Sequence, residues 1–191
     1  MNSEPGNQKH DVILKPLITE FDLKARVGNL VKEIASDYAG EGELVVIGLL
    51  KGSFMFMADL ARLLYLHNVP LLIDFMLVSS YGSGTKSSGV VTVTRDITTD
   101  IEGKRILVVD DILDSGRTMT FAVTHLQKKG PATLKTCVFL DKPERREVDF
   151  HADYVGFQVP DKFLVGYGLD YDNRYRELPF ISEVSFKNPS D

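Results

Sequence analysis

One cysteine, Cys137, is all the thiol chemistry that this 191-residue chain holds. A lone cysteine excludes an intrachain disulfide. Its place in Thr136-Cys-Val-Phe-Leu140 marks it as a small buried hydrophobe. That usage fits a reducing, cytoplasmic setting. Basic blocks are missing as well. Lysine and arginine number 22 against 27 acids, a net charge of −5, so nucleic acid is not the expected partner. No apolar run reaches the ~18–20 residues that cross a bilayer, so no membrane partner is expected either. Residues 1–11 are polar and lack an apolar centre, which reads as a flexible N-terminus rather than a secretory leader. The four histidines, His10, His67, His125 and His151, are scattered and show no metal-ligand spacing. Internal repeats and linkers are absent, which leaves one domain, in line with ~100–200 residues per domain.

Against these absences, 43% of the residues are apolar, enough for a sizeable core. Thr19-Glu-Phe-Asp22 resembles a capping box, and Leu23, Val27, Leu30, Val31, Ile34 and Tyr38 then share one helical face. Leu44 to Leu50 is a continuous apolar run, the mark of a strand covered on both sides. A second helix is expected after Lys51-Gly52-Ser53, to about Leu66. Strands are expected at Pro70–Val78, Val90–Thr94, Arg105–Val109, Leu134–Leu140 and Tyr154–Val159. A third helix runs from Met119 to Lys129, stopped by Gly130-Pro131. Strands alternating with helices mean a mostly parallel α/β sheet, in which ligands sit at the carboxyl ends of the strands.

The densest chemistry lies in Arg105-Ile-Leu-Val-Val-Asp-Asp-Ile-Leu-Asp-Ser-Gly-Arg-Thr118. A buried strand emits Asp110 and Asp111, then Asp114, and turns through Ser115-Gly116-Arg117-Thr118 into a helix. First-turn N–H groups and the helix dipole suit a phosphate there. Ser115 and Thr118 add hydroxyl donors, and Gly116 allows close approach. Asp and Ser are common turn residues, but three acids in five positions exceed what a turn needs. Acids beside an anion site make sense when the ligand also brings sugar hydroxyls, a divalent cation and a proton to be removed. A phosphorylated sugar bound with magnesium meets that description.

Val108 to Thr118 resembles, over all eleven positions, the phosphoribosyl-diphosphate (PRPP) motif of the type I phosphoribosyltransferases. A second stretch, Val159-Pro-Asp-Lys-Phe-Leu-Val-Gly-Tyr-Gly-Leu-Asp-Tyr171, is similar to the base-binding segment of the hypoxanthine-guanine members, here about 159–176. The resemblance covers roughly residues 12–185. It implies a single domain over 12–191, with a twisted sheet flanked by helices and a small hood from the terminal segments. It implies a flexible lid at about 79–90, where eight of the eleven residues from Ser79 to Gly89 are Ser or Gly. In such a lid Ser80 and Tyr81 would cover the reaction and exclude water.

The same resemblance assigns roles. Asp110 and Asp111 would take the ribose hydroxyls and, with Asp170, hold Mg2+. Ser115, Gly116, Arg117 and Thr118 would cradle the 5′-phosphate. Lys51 and Gly52, in a loop that often carries a cis peptide, would bind pyrophosphate together with Arg176. Lys142, in Asp141-Lys-Pro143, would donate to the exocyclic oxygen of a 6-oxopurine, Phe163 would stack on the ring, and the Leu164 carbonyl would meet the base edge. Asp114 would be the general base. Taken singly, Lys142 also reads as a surface charge and Phe163 as core; only together with the PRPP motif do they point to a purine. The expected reaction joins PRPP and hypoxanthine or guanine into nucleotide and pyrophosphate, in a homodimer or homotetramer. Two other readings stand beside it. One is an RNA-binding regulator related to these enzymes, which would need a basic face. The other is a PRPP-making pyrophosphokinase, which would need a longer chain and an adenine site.

Overall fold

The computed structural model describes residues 12–38, 40, 42–81 and 90–186. In chain order these form β1 (Val12–Ile18), α1 (Glu20–Tyr38), β2 (Leu44–Leu50), α2 (Phe54–Leu66), β3 (Leu71–Tyr81), β4 (Val90–Arg95), β5 (Arg105–Leu113), α3 (Arg117–Gln127), β6 (Thr133–Asp141), β7 (Tyr154–Gln158), β8 (Leu164–Val165) and β9 (Ile181–Phe186). A six-stranded sheet runs in the order β4-β3-β2-β5-β6-β7. All its pairs are parallel except β3 with β4 at one edge. The centre of the sheet is buried on both faces, because Leu44–Leu49 of β2 and Ile106–Val109 of β5 are unbroken apolar runs. Leu44, Val46, Leu107 and Val109 pack with α1 and α2, while Val45, Ile47, Ile106 and Val108 pack with Met119, Ala122 and Leu126 of α3. Burial pushes the Cys137 thiol up, so it stays protonated within this core.

A second sheet, β1-β9-β8, is antiparallel throughout. It joins the two ends of the described chain, with Val12 facing Phe186, and forms the hood. Two of its strands carry no strong local signal. Pro16 interrupts β1 and half of that strand is exposed, while β9 meets a partner some 170 positions away.

Two boundaries that bear on the site differ from the sequence expectation. Ser79, Ser80 and Tyr81 belong to β3 and pair with Thr92, Val91 and Val90, so the expected loop begins later. Backbone ladder bonds need no apolar side chain, and the Ser79 hydroxyl adds contacts of 3.3 and 3.0 Å to those of Thr92 and Thr94. Residues 82–89, the centre of the expected lid, and 1–11 lie outside the described residues. The second difference is that β5 does not stop at Val109. It pairs with β6 as far as Leu113 opposite Asp141, so Asp110 and Asp111 are strand residues.

Candidate active site

Successive side chains of a strand point to opposite faces. Asp111 therefore follows Leu107 and Val109 toward the start of α2, and Asp110 follows Ile106 and Val108. Asp110 is only 9% exposed, and its Oδ1 accepts the Asp111 N–H at 2.9 Å. Burial, then the negative charge of Asp111, pushes the Asp110 carboxyl well up from its ordinary range. Burial also raises Asp111, against the opposing pull of hydrogen bonds and of the Arg176 charge.

Past Leu113 the chain turns into α3. Gly116 is the N-cap residue, with φ of 85°, a left-handed conformation that a side chain would strain. The first-turn N–H groups have no carbonyl partner within the helix. The Ser115 Oγ accepts from the Arg117 N–H at 3.4 Å. A cleft of about 230 Å3 opens here, lined by Asp110, Asp111, Asp114, Ser115, Gly116 and Thr118 among others. The Arg117 side chain does not enter it. Its guanidinium pairs with Glu147 at 2.6 Å and borders a separate hollow beside Phe121 and Val148. Of this residue only the backbone N–H lies at the turn.

Between β2 and α2 the Leu50–Lys51 peptide bond is cis. Gly52 is pressed from two sides: a Cβ on it would overlap the Asp111 carboxylate, and a Cβ on Gly168 would overlap the Gly52 carbonyl oxygen. Gly168 itself has φ of 104°. Arg176 closes this corner. Its Nη1 donates to the Gly168 carbonyl at 2.5 Å and its Nη2 pairs with Asp170 Oδ1 at 2.7 Å. Asp170 Oδ2 accepts the Asn173 N–H at 2.8 Å.

A larger cavity of about 460 Å3 adjoins the first and shares Asp111, Ile112 and Asp114 with it. Lys142, Phe163, Leu164 and Asp170 line it. Lys142 is buried, with Nζ donating to the Lys162 carbonyl at 2.6 Å and lying 3.9 Å from Asp161 Oδ1. Phe163 is half-exposed and meets Tyr171 edge-on at 5.7 Å. Leu164 owes its orientation to register. The Val184 N–H donates to the Phe163 carbonyl at 2.8 Å, and Leu164 stands opposite Glu183. Alternation in an antiparallel ladder makes that a non-hydrogen-bonded pair. The Leu164 N–H and carbonyl therefore point away from β9.

Residues that sequence reasoning passed over brace this geometry. Arg146 donates to the Leu113 carbonyl at 3.1 Å and also reaches the Asp114 carbonyl and the Asp141 carboxylate. Arg145 Nε lies 2.8 Å from Asp114 Oδ1. Both follow Lys142 within four positions at the carboxyl end of β6, and that placement was the available signal. Gly168 had a signal too, in the Gly166-Tyr-Gly168 pattern.

Among the described residues, no three His, Cys, Asp or Glu side chains form a ready-made metal cage. The donor set still suits one kind of cation. Asp110 and Asp111 form a buried acidic pair whose burial disfavours its charge. Mg2+ characteristically uses one or two carboxylates and takes its other ligands from water and substrate phosphates.

The phosphoribosyl transferase domain family matches residues 20–172. The hypoxanthine-guanine phosphoribosyltransferase of Aquifex aeolicus is 57% identical over 171 residues, spanning 90% of this chain and 94% of that protein. The hypoxanthine phosphoribosyltransferase of Salmonella typhimurium is 47% identical, spanning 92% and 97%. A crystal structure of a Bacillus anthracis hypoxanthine-guanine phosphoribosyltransferase, with HEPES in its active site, superposes with a TM-score of 0.83 at 48% identity, over 90% of this chain and 98% of that one. A hypoxanthine phosphoribosyl transferase of Trypanosoma cruzi, studied for the effect of its C-terminal region on oligomeric state and activity, superposes at 0.86 with 44% identity, over 93% and 94%.

Proposed function

This chain belongs to the phosphoribosyl transferase family, and we propose that it transfers the phosphoribosyl group of PRPP to hypoxanthine or guanine. The products are IMP or GMP and pyrophosphate, a purine-salvage reaction. One observation carries the reading: an anion-cradling turn and a larger, partly apolar slot meet along Asp111 to Asp114. Sugar phosphate on one side and base on the other would join at that point.

In this assignment Ser115, Gly116, Thr118 and the first-turn N–H groups hold the 5′-phosphate. Asp110 and Asp111 accept from the ribose hydroxyls. Lys51, the Gly52 backbone and Arg176 flank the pyrophosphate. Lys142 donates to the exocyclic oxygen at C6, Phe163 covers the ring, and the outward carbonyl of Leu164 faces C2. Asp110, Asp111 and Asp170 would hold Mg2+, which when bound neutralises the leaving pyrophosphate. Asp114 takes the N7 proton while N9 bonds to the anomeric carbon and the bond to pyrophosphate breaks, its electron pair leaving with pyrophosphate. Ser80 and Tyr81 would cover the reaction and keep water out. The working particle is a homodimer or homotetramer in the cytoplasm. Among the described residues no helix is long and apolar enough to cross a membrane.

The test is incubation with PRPP, Mg2+ and each free base, followed by kcat/KM for the bases that react. Guanine offers an amino donor to the Leu164 carbonyl and hypoxanthine lacks it, so both should turn over. Xanthine sets acceptor against acceptor. Adenine sets donor against donor at Lys142, a mismatch that costs such sites about 10^4–10^5 in specificity. Adenine as the best substrate overturns the Lys142 assignment. Replacing the base, Asp114→Asn, should lower kcat by ~10²–10⁴ with PRPP binding retained.

A further inference from the structure

Arg145 stands in the larger cavity without any part in the roles given above. It sits in the one-turn 3-10 segment Pro143–Arg145 that follows β6. Its Nε lies 2.8 Å from Asp114 Oδ1, and its Nη1 donates to Asp161 Oδ1 at 3.5 Å. Asp161 Oδ1 is in turn 3.9 Å from Lys142 Nζ. The charges therefore alternate along one wall: Lys142, Asp161, Arg145, Asp114. Asp114 Oδ1 is fully covered, yet the side chain as a whole is 42% exposed. That oxygen is held by Arg145 as an ion pair, without hydrogen-bond geometry, and the other side of the carboxylate is left open.

We propose that Arg145 is a positioning residue that pins one oxygen of Asp114 so that the other meets N7 of the purine. The inference rests on the reading of Asp114 as the general base. A free carboxylate on a turn rotates about two side-chain bonds and spends much of its time misdirected. The Arg145 charge beside Oδ1 holds that edge of the carboxylate, and Asp161 steadies the guanidinium from the far side. Arg146 holds the backbone of the same residue through the Asp114 carbonyl. Two adjacent arginines thereby fix the main chain and the side chain of one acid. Arg145, Asp114 and Asp161 are each close to half exposed, so the pair adds little to folding stability and its worth lies in orientation.

The test is a mutant cycle on the full-length protein, with kcat and both KM values measured for hypoxanthine and PRPP. Arg145→Gln should lower kcat by about tenfold to a hundredfold, the usual effect of a misplaced reacting group, with KM for PRPP unchanged. In an Asp114→Asn background the same change should cost nothing further, because there is no base left to aim. Arg145→Lys should recover part of the loss, and Asp161→Asn should lower kcat less than Arg145→Gln does. Additive losses in the double variant overturn the inference, as does a rise in KM for PRPP at constant kcat. Melting curves screen for unfolding, and if Arg145→Gln melts early the Asp161→Asn cycle decides by the same criterion. A wild-type protein that makes no nucleotide, or an Asp114→Asn variant as fast as wild type, strikes instead at the function proposed above.

Discussion

Gly52 shows how little room this site leaves. Its Cα faces the Asp111 carboxylate, so adding one methyl must displace that acid. Gly52→Ala should reduce kcat/KM for PRPP by at least about tenfold, while Tm moves by only a few degrees because the position lies outside the core; steady-state kinetics and calorimetry separate the two. A variant with wild-type kinetics would falsify the tight packing around Asp111. Asp110, Asp111 and Asp114 stood out in the sequence as candidate site residues because an acid pair after an apolar run is chemically odd. Arg145 and Arg146 were not. A guanidinium's partner is chosen by three-dimensional proximity, and Asp114 lies some thirty positions earlier in the chain.

Legibility of the elements followed burial. β2, β5 and β6 are covered on both faces along their centres, so their apolar runs could be read directly, although β5 continues past its run to Leu113. α1 was visible from its periodic face and its cap, where Asp22 N–H meets Thr19 Oγ1 at 3.2 Å. β1, β8 and β9 were missed because their order comes from distant pairing rather than local pattern. Asp74 illustrates an element junction with a pH signature. It lies in β3, and its carboxylate accepts from the N–H groups of Phe75, Thr98 and Thr99 at 2.7 to 2.8 Å, tying the strand to the segment after β4. Burial alone would raise its pKa, but these donors outweigh it and hold the carboxyl at about 2. An unfolded aspartate titrates near ~3.9. Its stabilising contribution is therefore complete above pH ~4 and is lost as pH falls toward 2. Asp74→Asn should lower stability by about 1–2 kcal/mol at neutral pH. The gap to wild type should close in denaturant titrations as pH drops below 4, and a gap independent of pH counts against the carboxylate.

At the level of the whole molecule, two sheets divide the labour. The large, mostly parallel sheet presents the turn at the end of β5, and the hood contributes Leu164 to the wall of the larger cavity. They are fastened where Gly168 meets Gly52 and where the Lys142 ammonium holds the Lys162 carbonyl. The fold class was readable from the alternation of strands and helices. The hood was expected only through family resemblance, since no composition signal joins residue 12 to residue 186.

The hood ends in a two-residue strand, β8, whose outer backbone edge meets no further strand among the described residues. A purine edge arriving at Leu164 would behave as a surrogate rung, completing a ladder that the polypeptide leaves one place short. Ligand and protein would then share a single hydrogen-bonded array, and occupancy would stiffen the terminal sheet back to Val12. Hydrogen–deuterium exchange of β8, β9 and β1 should slow when GMP is added, while β2 and β6, already sealed in the core, should exchange as before.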